Sequence, residues 1–249
     1  MLMSVIAREC SAVSMPEVSG ARVLMTGLTS ASGFDVARAF ADHGARLILQ
    51  SPEDSPEMTE LVAVLAECAP EIRFFNTPLA VEADATRLMQ AAVHDFGGID
   101  AVVNLTPISA RAVRALETPD DVERLISDAL RLPLSMTEIA ANRMRLVWTE
   151  GSILNVIRVQ DGVGGRAMML ADMLRMELAE LTRGLAQRWA AHGIRINAVA
   201  PPSSIGAMGG GVQASDADLA AVALQLASAR GRNVSGHVLD ATGAARRWC

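Results

Sequence analysis

The sequence predicts an α/β fold in which one doubly wound, mostly parallel sheet of seven strands is covered by helices on both faces. From Ala21 onward, short apolar runs alternate with longer stretches of helical periodicity. The apolar runs are nearly continuous, as strands buried on both faces require. The chain has 249 residues, 51% of them hydrophobic, which suffices for one large core. We therefore expect a single three-layer domain over 21–249, preceded by an N-terminal extension over 1–20.

The strands and helices follow from these runs in chain order. The expected strands are Arg22–Thr26, Arg46–Leu49, Ile72–Phe75, Ala101–Val103, Ser152–Ile157, Arg195–Val199 and His237–Leu239. The expected helices are Phe34–His43, Met58–Cys68, Ala83–Phe96, Asp120–Val147, Arg166–Ala191 and Asp216–Ala229. Glycine or proline ends several helices, such as Gly44 and Pro70, and Pro133 should kink or break the fourth. Right-handed crossovers place a ligand at the carboxyl ends of the strands, near the switch point between strands one and four.

Charge and cysteine usage exclude several classes of protein. The formal net charge of −6 argues against nucleic acid or an anionic membrane as the main partner. Cys10, Cys68 and Cys249 are widely spaced and odd in number, which disfavours a disulfide framework and favours the cytoplasm. The apolar run Met1–Ala7 is too short for a signal core or a membrane span. The four histidines have no partners at metal-ligand spacing, so we expect no metal site.

Two residue types are missing from the chain altogether. It contains no tyrosine, and all 22 of its basic residues are arginine. Chemistry that needs a phenol or a titratable amine is therefore excluded.

A glycine-containing turn joins the first strand to the first helix. In such a turn the glycines let the backbone approach a pyrophosphate, and the helix N-terminus offers free N–H donors. The candidate cofactor-binding residues here are Gly27, Ser30, Ala31, Ser32, Gly33 and Phe34. A tight turn that binds no ligand is the alternative interpretation.

Five segments in the same order resemble the short-chain dehydrogenase/reductase family over about 21–243. They are the turn Thr26–Phe34, Asp95–Asn104, Gly151–Val156, Gly193–Pro201 and Ser235–Leu239. The resemblance implies a Rossmann-like fold and NAD(P)-dependent oxidoreduction, and it adds Asn104 to the cofactor-binding candidates. The family's chemistry rests on Ser, Tyr and Lys with a supporting Asn.

The family's spacing places those four roles on other residue types in this chain. Arg158 stands at the serine position, Ala171 at the tyrosine position and Arg175 at the lysine position. Ala129, or less securely Asp128, stands at the asparagine position. No catalytic residue of the standard set is therefore intact. Ala171 has no proton to transfer, and the arginine pKa above about 12 bars proton transfer near neutrality.

These substitutions predict a family protein that has lost the standard activity and acts as a binding or subunit protein. Binding of NAD or NADP is expected to be weak or lost, because Ala31 replaces a glycine and Ser51 offers neither an acid nor a base to the ribose. One alternative is an NAD(P)-dependent oxidoreductase with a non-standard proton donor. Another is an anion sensor built from Arg158 and Arg175.

Two further expectations concern pairing. Instead of binding an anion, Arg158 and Arg175 can fill an unused active-site cleft, paired with acids such as Asp161 and Asp172. The segment Met168–Leu181 is apolar on more than one helical face. A surface helix needs only one apolar stripe, so the wider pattern predicts a homo-oligomer, a dimer or tetramer. A hetero-oligomer with an active relative is the alternative.

Overall fold

A computed structural model describes residues 15–159, 165–201, 212–213, 215–240 and 242–243. Its strands are β1 (Arg22–Thr26), β2 (Arg46–Gln50), β3 (Ile72–Phe75), β4 (Ala101–Ile108), β5 (Gly151–Val159), β6 (Ile194–Ala200), β7 (Val212–Gln213), β8 (Val238–Asp240) and β9 (Thr242–Gly243). Seven of them form one sheet in the order β3-β2-β1-β4-β5-β6-β8. Every pairing in this sheet is parallel, which confirms the predicted fold class.

Helices connect the parallel strands. They are α1 (Phe34–Asp42), α2 (Pro56–Ala66), α3 (Glu82–Phe96), α4 (Ala110–Arg114), α5 (Pro119–Leu146), α6 (Gly165–Trp189) and α7 (Asp216–Ala227). The short helix α4 was not expected from the sequence. The predicted break at Pro133 is wrong, because α5 continues through it while Leu130 and Met136 on either side are buried.

Strands β4 and β5 run further toward the carboxyl edge than their apolar runs suggest. Their ladder continues through the pairs Pro107↔Arg158 and Ile108↔Val159. The antiparallel pair of β7 and β9 is also new. The extra length matters because it carries Arg158 to the edge where a ligand is expected.

The core lies on both faces of the sheet, as the residues of β1 illustrate. Alternate β1 residues face opposite ways, so Val23 and Met25 join one apolar cluster and Leu24 joins the other. Part of the predicted extension also belongs to the domain, since Val18 is buried in the first cluster. Among the residues described, no helix is both long enough and apolar enough to span a bilayer.

Candidate functional site

The carboxyl end of β1 lies level with the middle of β4 and β5, and buried polar side chains join the three strands. Thr26 Oγ1 donates to Asn104 Oδ1 over 2.9 Å, and Asn104 Nδ2 donates to Asn155 Oδ1 over 2.8 Å. Asn155 Nδ2 in turn donates to Thr137 Oγ1 on α5 over 3.1 Å. All four side chains are buried. The amide of Asn104, a predicted cofactor ligand, is thus part of a network that ties three strands to a helix.

The turn between β1 and α1 packs tightly against β4. Gly27 has φ +74° and Gly33 has φ +96°. A Cβ on Gly27 would lie 2.0 Å from the carbonyl oxygen of Leu105, and one on Gly33 would lie 2.4 Å from Leu105 Cδ1. Gly27 therefore needs glycine for packing against the backbone of β4, whereas at Gly33 the positive φ favours glycine and the nearby atom is the end of a flexible side chain. This explanation of the two glycines requires no bound ligand.

Several N–H groups of the turn donate to backbone or amide oxygens of the protein. Gly27 N–H donates to the side-chain oxygen of Gln50 over 2.8 Å, and Leu28 N–H donates to the Gln50 carbonyl over 3.1 Å. Thr29 and Ser32 exchange two backbone hydrogen bonds, each of 3.1 Å. The N–H of Ser32, a predicted pyrophosphate donor, is therefore directed to Thr29.

Two further N–H groups of the turn donate to carboxylates. Ser30 N–H donates to Glu53 Oε2 over 2.7 Å, from the loop after β2. Gly33 N–H, immediately before α1, donates to Asp216 Oδ2 over 2.8 Å. Asp216 is the first residue of α7, and its other oxygen pairs with Arg158 from the end of β5. Arg158 and Asp216 are both largely buried, with 18% and 19% of their side chains exposed.

This arrangement fits a dinucleotide poorly. A pyrophosphate needs N–H donors that are free to turn toward it. In the turn as it stands, Gly27, Ser30, Ser32 and Gly33 each donate to an oxygen of the protein itself. Two of those oxygens carry negative charge, the sign that a pyrophosphate also carries.

Across the cleft, α6 presents an alanine and an arginine one turn apart. Ala171 is 5% exposed and has only its methyl group to offer. Arg175 donates from Nη2 to the Pro201 carbonyl over 2.9 Å and so ties α6 to the chain just beyond β6. In the part of the chain that is described, no group of three or more His, Cys, Asp or Glu side chains is placed to hold a metal ion.

Comparison with known proteins identifies the family. A protein-family model described as enoyl-(acyl carrier protein) reductase matches residues 27–214. The chain belongs to the short-chain dehydrogenase/reductase family. It is 30% identical over 250 residues to momilactone A synthase of Oryza sativa subsp. japonica, covering 90% of this chain and 89% of that protein. It is 31% identical over 179 residues to galactitol 2-dehydrogenase of Agrobacterium fabrum, covering 72% of this chain and 68% of that protein.

Solved structures show the same fold. An NADH-dependent reductase A1-R′ complexed with NAD superposes with a TM-score of 0.72 and 24% identity, covering 92% of this chain and 98% of that one. A hydroxysteroid dehydrogenase from Escherichia coli gives a TM-score of 0.71 at 18% identity, covering 93% and 99%. At these identities the likeness supports the fold alone.

The four residues that the sequence spacing assigns to the family's catalytic set make different contacts in the described part of the chain. Arg158 contacts Asp216, whereas Arg175 contacts Pro201. Ala129 is buried in the apolar cluster that α5 and α6 form with the sheet. Asp161, the expected partner of Arg158, lies outside the described residues.

Sequence reasoning did not find several contributors to this site, among them Gln50, Glu53 and Asp216. Gln50 had a usable signal, because the last residue of β2 must lie beside the end of β1 in a parallel sheet. For Asp216 the sequence shows only a helix start, a Ser215 cap with Asp218 completing the capping box. Nothing local indicates that this helix begins against Gly33, which lies 183 residues earlier.

Proposed function

We propose that this chain is a short-chain dehydrogenase/reductase-family protein that does not catalyse the family's standard NAD(P)-dependent oxidoreduction and acts as a binding or subunit protein. The observation that carries the proposal is on α6, where Ala171 and Arg175 occupy the proton-donor and lysine positions. Arg175 directs its guanidinium to the Pro201 carbonyl. The chain also has no tyrosine with which to replace the missing phenol.

The expected loss of rate is large. General acid–base catalysis contributes about 10²–10⁴-fold, and a methyl group supplies none of it. An arginine stays protonated near neutrality and cannot relay a proton. The serine position holds Arg158, paired with Asp216, so no small hydroxyl orients a substrate oxygen there. We also propose that NAD or NADP binds weakly or not at all, because N–H groups of the glycine turn already donate to oxygens of the protein.

Family membership favours a second candidate, an oxidoreductase with a non-standard proton donor. The carboxyl group of Asp216 is one ionisable candidate, since it contacts both the turn and Arg158. Both oxygens of this carboxyl already accept hydrogen bonds, one from Gly33 N–H and one from Arg158. The anion-sensor alternative requires Arg158 to release Asp216 before it can take an external anion.

Turnover decides between these functions. The purified protein is mixed with NADH or NADPH and a panel of ketones, and with NAD⁺ or NADP⁺ and a panel of alcohols and polyols, while nicotinamide absorbance is followed. Galactitol 2-dehydrogenase of Agrobacterium fabrum serves as the positive control. We expect no rate above the protein-free background. Any substrate-dependent rate above that background would refute the proposal, and its loss in Asp216→Asn would identify that carboxyl as the proton donor.

We further propose that the protein forms a homo-oligomer through α6 and the start of α5. Met169, Met173 and Met176 lie at helical spacing on α6 and are 50%, 37% and 70% exposed. Beside them, an open cavity of about 410 Å³ is lined largely by apolar atoms, including Leu116 and Val122. An exposed apolar area of this kind is typical of a subunit interface. The occupant that we propose is the same face of a second copy, as in a two-fold dimer.

Light scattering after size exclusion tests this proposal at micromolar protein. We expect at least a dimer mass, and a monomer mass after Met173→Glu with Met176→Glu, because the contact would then bury two carboxylates. Gln187→Glu, further along α6, is the control and should leave the mass unchanged. A monomeric wild-type protein that forms a stable complex with an active relative would support the hetero-oligomer instead.

A further inference from the structure

The glycine turn is held by two carboxylates that come from distant parts of the chain. Glu53 accepts from Ser30 N–H, and Asp216 accepts from Gly33 N–H. Backbone N–H groups at the start of a helix attract anions because the helix dipole adds to their own polarity. A carboxylate on such a donor therefore takes the place that an anionic ligand would take.

Asp216 is fixed from both sides. Its Oδ2 accepts from the turn, while its Oδ1 pairs with Arg158 of β5. Charge-assisted hydrogen bonds of this kind are about twice as strong as neutral ones. The pair bridges three elements, the turn before α1, the end of β5 and the first residue of α7. A ligand that needs the Gly33 N–H must break this bridge.

Charge adds to the obstacle. A pyrophosphate at the turn would approach both carboxylates and be repelled by them, more strongly by the largely buried Asp216 than by Glu53, whose hydrogen bond to Ser30 is exposed. Leu105 packs its Cδ1 against Gly33, which narrows the approach from the β4 side. The occupied N–H donors, the two nearby carboxylates and the limited space at the turn all disfavour a bound dinucleotide.

We propose that Asp216 and Glu53 are internal ligands of the glycine turn, which occupy its N–H donors with their own carboxylates and so exclude dinucleotides. The site remains an anion site, but its resident anions belong to the protein. This inference deepens the proposed function, because it names what replaces the cofactor in the same cleft. It does not depend on the residues of α6 that account for the lost proton transfer.

A binding measurement tests the inference without reference to turnover. The double variant Glu53→Ala with Asp216→Ala removes both internal carboxylates. The matched control, Glu57→Ala with Asp120→Ala, removes two acids from the first turns of α2 and α5 and leaves the glycine turn untouched. Calorimetric titration with NADH and with NADPH gives the affinity of each protein. Circular dichroism verifies that each is folded.

We expect the double variant to bind NADH or NADPH at least tenfold more tightly than the wild type and the control, which should behave alike. The isosteric variant Glu53→Gln with Asp216→Asn keeps the shapes and removes the charges, so it should gain affinity to a smaller extent. It also provides the test if the alanine variant does not fold. Equal affinities in all four proteins, or micromolar NADH binding by the wild type, would overturn the inference.

The two proposals fail separately. Tighter binding in the double variant without turnover supports both of them. Turnover by the wild type refutes the proposed function, whereas an unchanged affinity in the variants refutes only the internal-ligand inference.

Discussion

Replacement of Gly27 by alanine should destabilise the fold severely, for a reason that involves no ligand. Gly27 has φ +74°, and its missing Cβ would lie 2.0 Å from the carbonyl oxygen of Leu105. That oxygen belongs to the backbone of β4, and Thr26, just before Gly27, is paired with Asn104 in the same ladder. The clash can be relieved only by moving one central strand relative to the other.

The magnitude has two parts. A left-handed backbone conformation costs an L-residue about 1–2 kcal/mol, and the lower entropy of the unfolded alanine variant returns about 0.4–1 kcal/mol. Overpacking a rigid site adds about 1–3 kcal/mol or more. We therefore expect Gly27→Ala to lower the free energy of unfolding by about 3 kcal/mol.

Gly20→Ala is the matched control. Gly20 has nearly the same φ, +75°, but no atom lies within 4 Å of its added Cβ. This variant should therefore lose only the conformational part, about 1 kcal/mol. Equilibrium urea unfolding followed by circular dichroism measures both, and with a slope of about 2 kcal/mol/M the midpoints should differ by about 1 M. Equal midpoints, together with a selective loss of NADH binding in Gly27→Ala, would refute the steric argument and support a cofactor role.

Two other substitutions test the wider structure. Burial raises the pKa of Asp100, but hydrogen bonds and charge from Arg22 outweigh it and leave that pKa below its usual range. Asp100→Asn should therefore lower the free energy of unfolding by about 1–2 kcal/mol at pH 7. The difference in unfolding free energy from the wild type should disappear as the pH falls below about 4, where the carboxyl becomes protonated. A difference that does not change with pH would contradict this. Trp148 is 95% exposed and has φ +55°, a backbone conformation that is strained for any residue except glycine. Trp148→Gly should therefore raise the free energy of unfolding by up to about 1 kcal/mol, whereas the control Val147→Gly, at φ −105°, should lower it. Destabilisation by Trp148→Gly would contradict the argument from backbone strain.

Most of the fold could be predicted because hydrophobic periodicity reports burial directly. The near-continuous runs of β1 and β2 are buried on both faces of the sheet, and that burial is what their sequences encode. The errors occur where tertiary packing outweighs a local signal. Pro133 has no N–H to donate, yet its neighbours on α5 are buried and the helix continues. Thr106 and Pro107 interrupt an apolar run, yet the ladder with β5 extends past them.

The candidate site was less predictable, because its decisive contacts join residues that are far apart in the chain. The sequence suffices to show that a phenol and a lysine amine are missing, since the chain contains no tyrosine and no lysine. The sequence does not reveal which groups the charged side chains of the cleft contact. Asp216 meets Gly33 only because α7 packs beside α1, and that placement depends on the whole sheet.

The proposed loss of proton transfer and the proposed filling of the turn are physically independent, because they rest on different parts of the fold. Ala171 and Arg175 lie on α6, whereas Glu53 and Asp216 come from the loop after β2 and the start of α7. Removing the internal carboxylates frees N–H donors but supplies no acid, so nucleotide affinity can return without turnover. Restoring an acid on α6 supplies a proton but leaves the donors occupied. Because neither change compensates for the other, a single substitution should not restore oxidoreduction, and binding and chemistry can be measured one at a time in this cleft.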